Sequence, residues 1–190
     1  ESIPFGDNLY YFLQKYITKS LSMNKKDDDL IKKYHSKVLR HVEACNKLGM
    51  KNFENYSYFE FGAGWDLFAP IGFSGLGMKK LTVVDINPFV QIEQINYALS
   101  FYKRCSREFG VSALHLNGIL TKDNYKEYLL SNLRITYRAP YDARKTDIAT
   151  DSIDLIVSNV SLEHIPRQDI EAIVKECFRI LKQGGIMSVT

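Results

Sequence analysis

The sequence has 190 residues, 45% hydrophobic and 25% charged, which suits one globular domain and excludes disordered, collagen-like and fibrous chains. Its formal net charge of +3 is too small to imply a nucleic-acid partner, and no stretch approaches the roughly 18–20 apolar residues of a membrane-spanning helix. The chain opens on Glu1 with no basic region followed by an apolar one, so no signal peptide is expected. Cys45, Cys105 and Cys177 lie far apart without CxxC spacing, which suits free thiols and a cytoplasmic location.

In chain order, Leu9, Phe12, Leu13, Tyr16, Ile17 and Leu21 recur at three- and four-residue spacing and predict an amphipathic helix over 8–22. Asp27-Asp28-Asp29 supplies an N-cap and favourable negative charge for a second helix, whose apolar face is Leu30, Tyr34, Val38, Val42 and Cys45 and which ends near Gly49. Residues 1–55 thus form an N-terminal helical segment, either a lid over a pocket or a packing layer. From residue 56 onward short apolar runs alternate with helical stretches, the signature of parallel βαβ units. Strands are expected at Tyr56–Phe61, Lys80–Asp85, Leu133–Tyr137, Ile153–Ser158 and Gly185–Thr190, and helices near 67–78, 88–109, 122–131 and 167–182. In the last helix Ile170, Ile173, Val174, Cys177, Ile180 and Leu181 form the apolar stripe, with Gly184-Gly185 as its stop. The fold class is therefore α/β, a three-layer α/β/α Rossmann-like sheet, mostly parallel, carrying an N-terminal helical extension.

The first strand runs into Gly62-Ala63-Gly64-Trp65-Asp66. Glycine there lets a ligand approach the backbone, and the following helix offers unpaired N–H groups. A dinucleotide fingerprint G-x-G-x-x-G needs Gly or Ala at position 67, where Leu67 stands. Pro70 falls where the first helix should open, so either Asp66 caps a helix distorted in its first turn or the helix begins late with Pro70 near its start. A third reading makes Trp65–Gly77 an irregular pocket wall.

Glu60-Phe61-Gly62-Ala63-Gly64 resembles the first motif, E/D-x-G-x-G, of class I S-adenosylmethionine-dependent methyltransferases, and Leu81-Thr82-Val83-Val84-Asp85 resembles the second, with its acid at the strand end. Asp142-Ala143, twelve residues before Asp154, is similar to the family's D-A...S-F-D-x-V segment. Ser158-Asn159-Val160-Ser161-Leu162-Glu163-His164-Ile165 is similar to its fourth motif with an L-x-H-[IV] tail, and Arg179–Gly185 to its R-x-L-K-P-G-G segment with Gln183 in place of proline. The likeness covers roughly residues 56–190 and is of the methyltransferase type 11 kind. The Gly-Trp-Asp-Leu-Phe-Ala-Pro run associates it further with enzymes of bacterial surface-polysaccharide clusters.

The resemblance implies S-adenosylmethionine as cofactor and S-adenosylhomocysteine as product. Glu60, Gly62, Ala63 and Gly64 would then meet the amino-acid part, Asp85 and Ile86 the nucleoside, Asp142 and Ala143 the adenine, and Asn159 would lie beside them. A carboxylate such as Asp85 has two acceptor oxygens for a vicinal diol; without the resemblance it is a capping residue before the Asn87-Pro88 turn. Residues 158–161 are not N-P-P-Y, so base methylation in nucleic acid is not expected. His164, after the fourth strand, is either a general base for an acceptor hydroxyl or a packed group. His35, His41 and His115 have no ligand partners at metal-like spacing, so no metal site is expected. The function implied is methyl transfer to an oxygen or nitrogen of a small molecule or glycan, against two alternatives: a nucleotide-binding oxidoreductase, or a non-catalytic protein that keeps the fold. The family carries seven strands in the order 3-2-1-4-5-7-6. Five are legible here, so strands six and seven are expected in a further C-terminal segment, or a partner subunit or second copy is expected to cover the fifth strand's edge.

Overall fold

The computed structural model describes residues 27–105 and 120–190, and the helix expected over 8–22 lies outside them. The segment after the Asp triplet is helical throughout: α1 (Asp27–Tyr34) passes through a π-helical turn, His35–Leu39, into α2 (Arg40–Lys47). The strands are β1 (Ser57–Phe61), β2 (Lys80–Val84), β3 (Ile135–Arg138), β4 (Ile153–Ser158) and β5 (Leu181–Val189). Between them run α3 (Phe68–Gly75), α4 (Ile92–Cys105), α5 (Tyr125–Leu133) and α6 (Arg167–Ile180). All strand pairings are parallel, in the order β3-β2-β1-β4-β5, the expected Rossmann-like arrangement.

Alternation of side chains along each strand divides the core. Tyr58, Leu81, Val83, Ile135, Leu155 and Val157 face one side, where α1 to α5 pack with Tyr34, Val38, Phe68, Ile95 and Leu129. Phe59, Phe61, Val84, Ile153 and Ile156 face the other, covered by Ile173, Cys177 and Ile180 of α6 and by Tyr141, Ala143 and Ile148 of the 139–152 loop. Among the described residues one layer holds five helices and the other a helix with a loop.

Several boundaries moved. The helix expected near 67–78 is α3, Phe68–Gly75, with every residue buried, and not the irregular wall offered as the alternative. A Cβ on Gly72 would lie 2.5 Å from the Tyr102 hydroxyl and 3.0 Å from Val38 Cγ2, so glycine is what lets α3 sit between α4 and the N-terminal helix. Pro70 is the third residue of that helix, where its missing N–H has no intrahelical partner to lose. Leu133 ends α5 rather than opening a strand, because Arg134 turns left-handed at φ 58 and closes the helix. The chain passes from Ile180 of α6 straight into β5, so the two glycines lie within the strand rather than in a stop. They coincide with a register shift opposite Ile153 and Leu155.

Candidate functional site

In an open parallel sheet, ligands bind beyond the carboxyl ends of the strands where the chain order reverses, here between β1 and β4. The loops after these two strands touch: Ser161 Oγ donates to the Gly62 carbonyl at 3.1 Å. Gly62 has φ +73, and a Cβ there would come within 2.1 Å of Ser161 Oγ, so both its conformation and its contact demand glycine. Gly64, at φ +66, has no atom within 4 Å of the place a Cβ would take, which leaves open space against its backbone.

Asp85, one residue past β2, closes this loop from the other side. Its Oδ2 accepts the Gly64 N–H at 3.0 Å and its Oδ1 the Asn87 N–H at 3.1 Å. Burial raises its pKa against the lowering effect of those backbone donors. The Ile86 N–H also acts on this carboxylate, whose two oxygens together have more acceptor sites than these three backbone donors fill. Ile86 beside it is 57% exposed, an apolar surface at the strand's end.

Glu60, on β1 ahead of the glycines, is buried on the five-helix face. Its Oε2 accepts the Tyr58 hydroxyl at 2.6 Å and its Oε1 the Asn159 amide at 3.3 Å. Burial drives its pKa up to about 7 despite those two hydrogen bonds. Asp66 behaves oppositely: burial works against its charge, but Lys33 and Lys37 outweigh it and hold the carboxyl well below the usual range. The Lys33 ammonium pairs with Asp66 Oδ2, and Asp66 Oδ1 caps the Phe68 N–H at 2.9 Å. Leu67 between them takes the left-handed conformation, φ 50, that a glycine would adopt more cheaply.

The remaining expected residues are less gathered. Asp142 forms a forked pair with Arg144, whose Nε and Nη2 lie 2.8–3.0 Å from its oxygens, and this pairing lowers its pKa. Ala143 packs against the α6 layer. His164 sits on a 3-10 turn, Leu162–His164, with a side chain 72% exposed and Glu163 Oε1 3.4 Å away. Val160, in the same loop, is β-branched yet left-handed at φ 52, a strained conformation. Ser158 Oγ at the end of β4 is buried without a partner.

His41 of α2 was not foreseen as part of the site. It is 0% exposed, with Nδ1 2.7 Å from Ser188 Oγ and Nε2 3.0 Å from Asn159 Oδ1; burial lowers its pKa. Val42, expected on the buried face, is half-buried instead. The only sequence signal was position: His41 stands three residues after Val38 and seven after Tyr34, on the apolar stripe.

Residues 96–189 match the family described as a methyltransferase domain. Among solved structures, the chain aligns over its whole length with a candidate S-adenosyl-L-methionine-dependent methyltransferase of Methanococcus maripaludis at 16% identity and a TM-score of 0.49, spanning 65% of that chain. With the PH0226 protein of Pyrococcus horikoshii it shares 18% identity over 96% of its length and 66% of that chain, at a TM-score of 0.47. With the phosphoethanolamine N-methyltransferase 1 of Haemonchus contortus, solved with phosphoethanolamine and S-adenosylhomocysteine, it shares 15% identity over 96% of its length and 31% of that chain, at a TM-score of 0.45. No curated protein matches the chain.

Proposed function

For a chain whose residues 96–189 match the methyltransferase-domain family, on a parallel sheet in the order β3-β2-β1-β4-β5, we propose that the site binds S-adenosylmethionine and serves methyl transfer to an oxygen or nitrogen of a small molecule or glycan. The observation that carries this reading is Asp85, a buried carboxylate at the end of β2 joined to the Gly64 N–H across the loop. Its remaining acceptor positions suit a ribose diol, the open space at Gly64 suits a chain lying on the backbone, and Ile86 offers an apolar surface for a purine. The fit is weaker at Asp142, whose oxygens are held by Arg144. The cofactor, when bound, supplies an electrophilic sulfonium methyl, so the protein's work is placement of the acceptor and management of its proton.

In this reading His164 is the candidate base. Its exposed ring at the end of β4 can meet a hydroxyl or amine and accept its proton. Residues 56–190 form the cofactor-binding core, and the described part of segment 1–55 serves as a packing layer, since Val38, His41 and Cys45 are fully buried.

Calorimetric titration with S-adenosylhomocysteine beside NAD tests the reading. We expect heat with the former only, and affinity about tenfold lower in Asp85→Ala, the loss of one charge-assisted hydrogen bond. Equal affinity in the variant would remove Asp85 from the site, and binding of NAD alone would favour an oxidoreductase.

A further inference from the structure

The N-terminal helical segment is tied to the surroundings of the glycine loop at two points. Lys33 of α1 pairs with Asp66 at the start of α3, and His41 of α2 reaches Asn159 beyond β4 and Ser188 on β5. Glu60 sits among these contacts, facing Tyr58 of its own strand and Asn159 directly, with Lys37 of the π-helical turn and Asp66 acting on it at longer range. His41 faces Asn159, Ser188 and the ring of Phe73, 6.5 Å away.

The direction of the hydrogen bonds follows from the groups available. Glu60 is an acceptor when ionised, so Asn159 must present its Nδ2 to Oε1 and its Oδ1 to His41. His41 Nε2–H then donates to Asn159 Oδ1, and Ser188 Oγ–H donates to Nδ1, which accounts for a neutral imidazole with both nitrogens used. Thr190 Oγ1 donates to the same Oδ1 at 3.1 Å. The donors run from Ser188 through His41 and Asn159 to Glu60, and from Tyr58 to its other oxygen. A flipped Asn159 would set its carbonyl against the carboxylate, and His41 opposes that flip. Packing alone does not require this: an apolar residue at 41 would fill the space without desolvating an imidazole.

We propose that His41 is a positioning residue of the cofactor site, fixing the Asn159 amide toward Glu60 so that the carboxylate ahead of the glycine loop is set only when the N-terminal helix is seated. The consequence for ligand affinity rests on the S-adenosylmethionine reading; the consequence for Glu60 does not.

The test has two arms. In the first, the protein without cofactor carries 13C-labelled glutamate and the Glu60 carboxyl, assigned with Glu60→Gln, is titrated by NMR. His41→Leu should raise its midpoint by up to about one pH unit, because Asn159, left with only Thr190 on its Oδ1, holds its donor less firmly on the charged form. His41→Gln, which can still donate to Asn159 Oδ1, should bring the midpoint back toward wild type. If the leucine variant does not fold, Ser188→Ala, which unties the far nitrogen, should shift the midpoint in the same direction by less. In the second arm, S-adenosylhomocysteine should bind about tenfold more weakly to His41→Leu than to wild type, with recovery in His41→Gln. An unchanged Glu60 midpoint in the folded variants overturns the inference. A wild-type protein that binds no S-adenosylhomocysteine overturns the cofactor reading instead, and the first arm still decides what His41 does.

Discussion

His41 and His164 lie at the same end of the sheet in opposite surroundings. His164 was legible in the sequence because it follows a strand and a resembling motif, yet its 3-10 turn is too short to bury it and its ring stands in solvent. His41 belongs to an amphipathic helix whose seat carries it into full burial between β4 and β5. A histidine that meets a changing acceptor needs access, whereas one that orients another side chain needs fixed partners and no water. The difference predicts separable phenotypes.

The largest effect should be on turnover. His164→Ala is expected to lower kcat about 10²–10⁴-fold while S-adenosylhomocysteine affinity stays near wild type and urea stability changes by less than about 0.5 kcal/mol, as at exposed positions generally. Parallel losses of activity and stability would assign His164 to packing.

Next in size, His41→Leu should destabilise the fold by about 1–3 kcal/mol in urea titration, because the half-buried Ser188 hydroxyl loses its partner and the buried Asn159 Oδ1 keeps only Thr190. A cost near that of His164→Ala would erase the distinction drawn between the two histidines.

The pH dependence sharpens it further. Burial holds Glu60 near 7 against its ordinary 4.5, so between those values the folded protein retains a proton that the unfolded chain releases. Its stabilising effect is full below about 4.5 and is lost as pH rises through 7. His41 runs the other way: burial lowers it from 6.5, so its contribution is full above 6.5 and is lost as pH falls. Glu60→Gln removes the first dependence and leaves the second. Its stability relative to wild type should therefore grow by about 1.4 kcal/mol per pH unit from 5 to 7. Denaturant midpoints across that range check this, and a constant difference would mean that Glu60 stays ionised throughout.

The smallest effect concerns the exposed turn itself. Val160→Asn should stabilise by about 0.5–1 kcal/mol, since asparagine tolerates the left-handed conformation that a β-branched residue resists and little packing is lost at an exposed site. Thermal unfolding checks it, and a lower midpoint would show that the valine side chain packs usefully.

Hydrophobic periodicity and glycine placement determined much of this protein. The five strands, the helices between them, the strand–glycine–helix loop and the acid at the end of β2 are local patterns, and local patterns survive into the fold because each element's apolar stripe must be buried. The sequence also offered Asp66 as a cap; it accepts the Phe68 N–H from one residue ahead of the N-cap, Leu67. It did not show α3 as a fully buried helix, because that depends on Gly72 admitting Tyr102 and Val38, residues 30 and more positions away along the chain. Nor did it show Asp142 held by Arg144, or the register shift of β5 at its two glycines, both set by neighbours or register. The network from Ser188 through His41 and Asn159 to Glu60 was illegible for the same reason. Its members lie far apart in sequence and meet only because a helix, two strands and a loop converge, and hydrogen bonds over such separations leave no period to read.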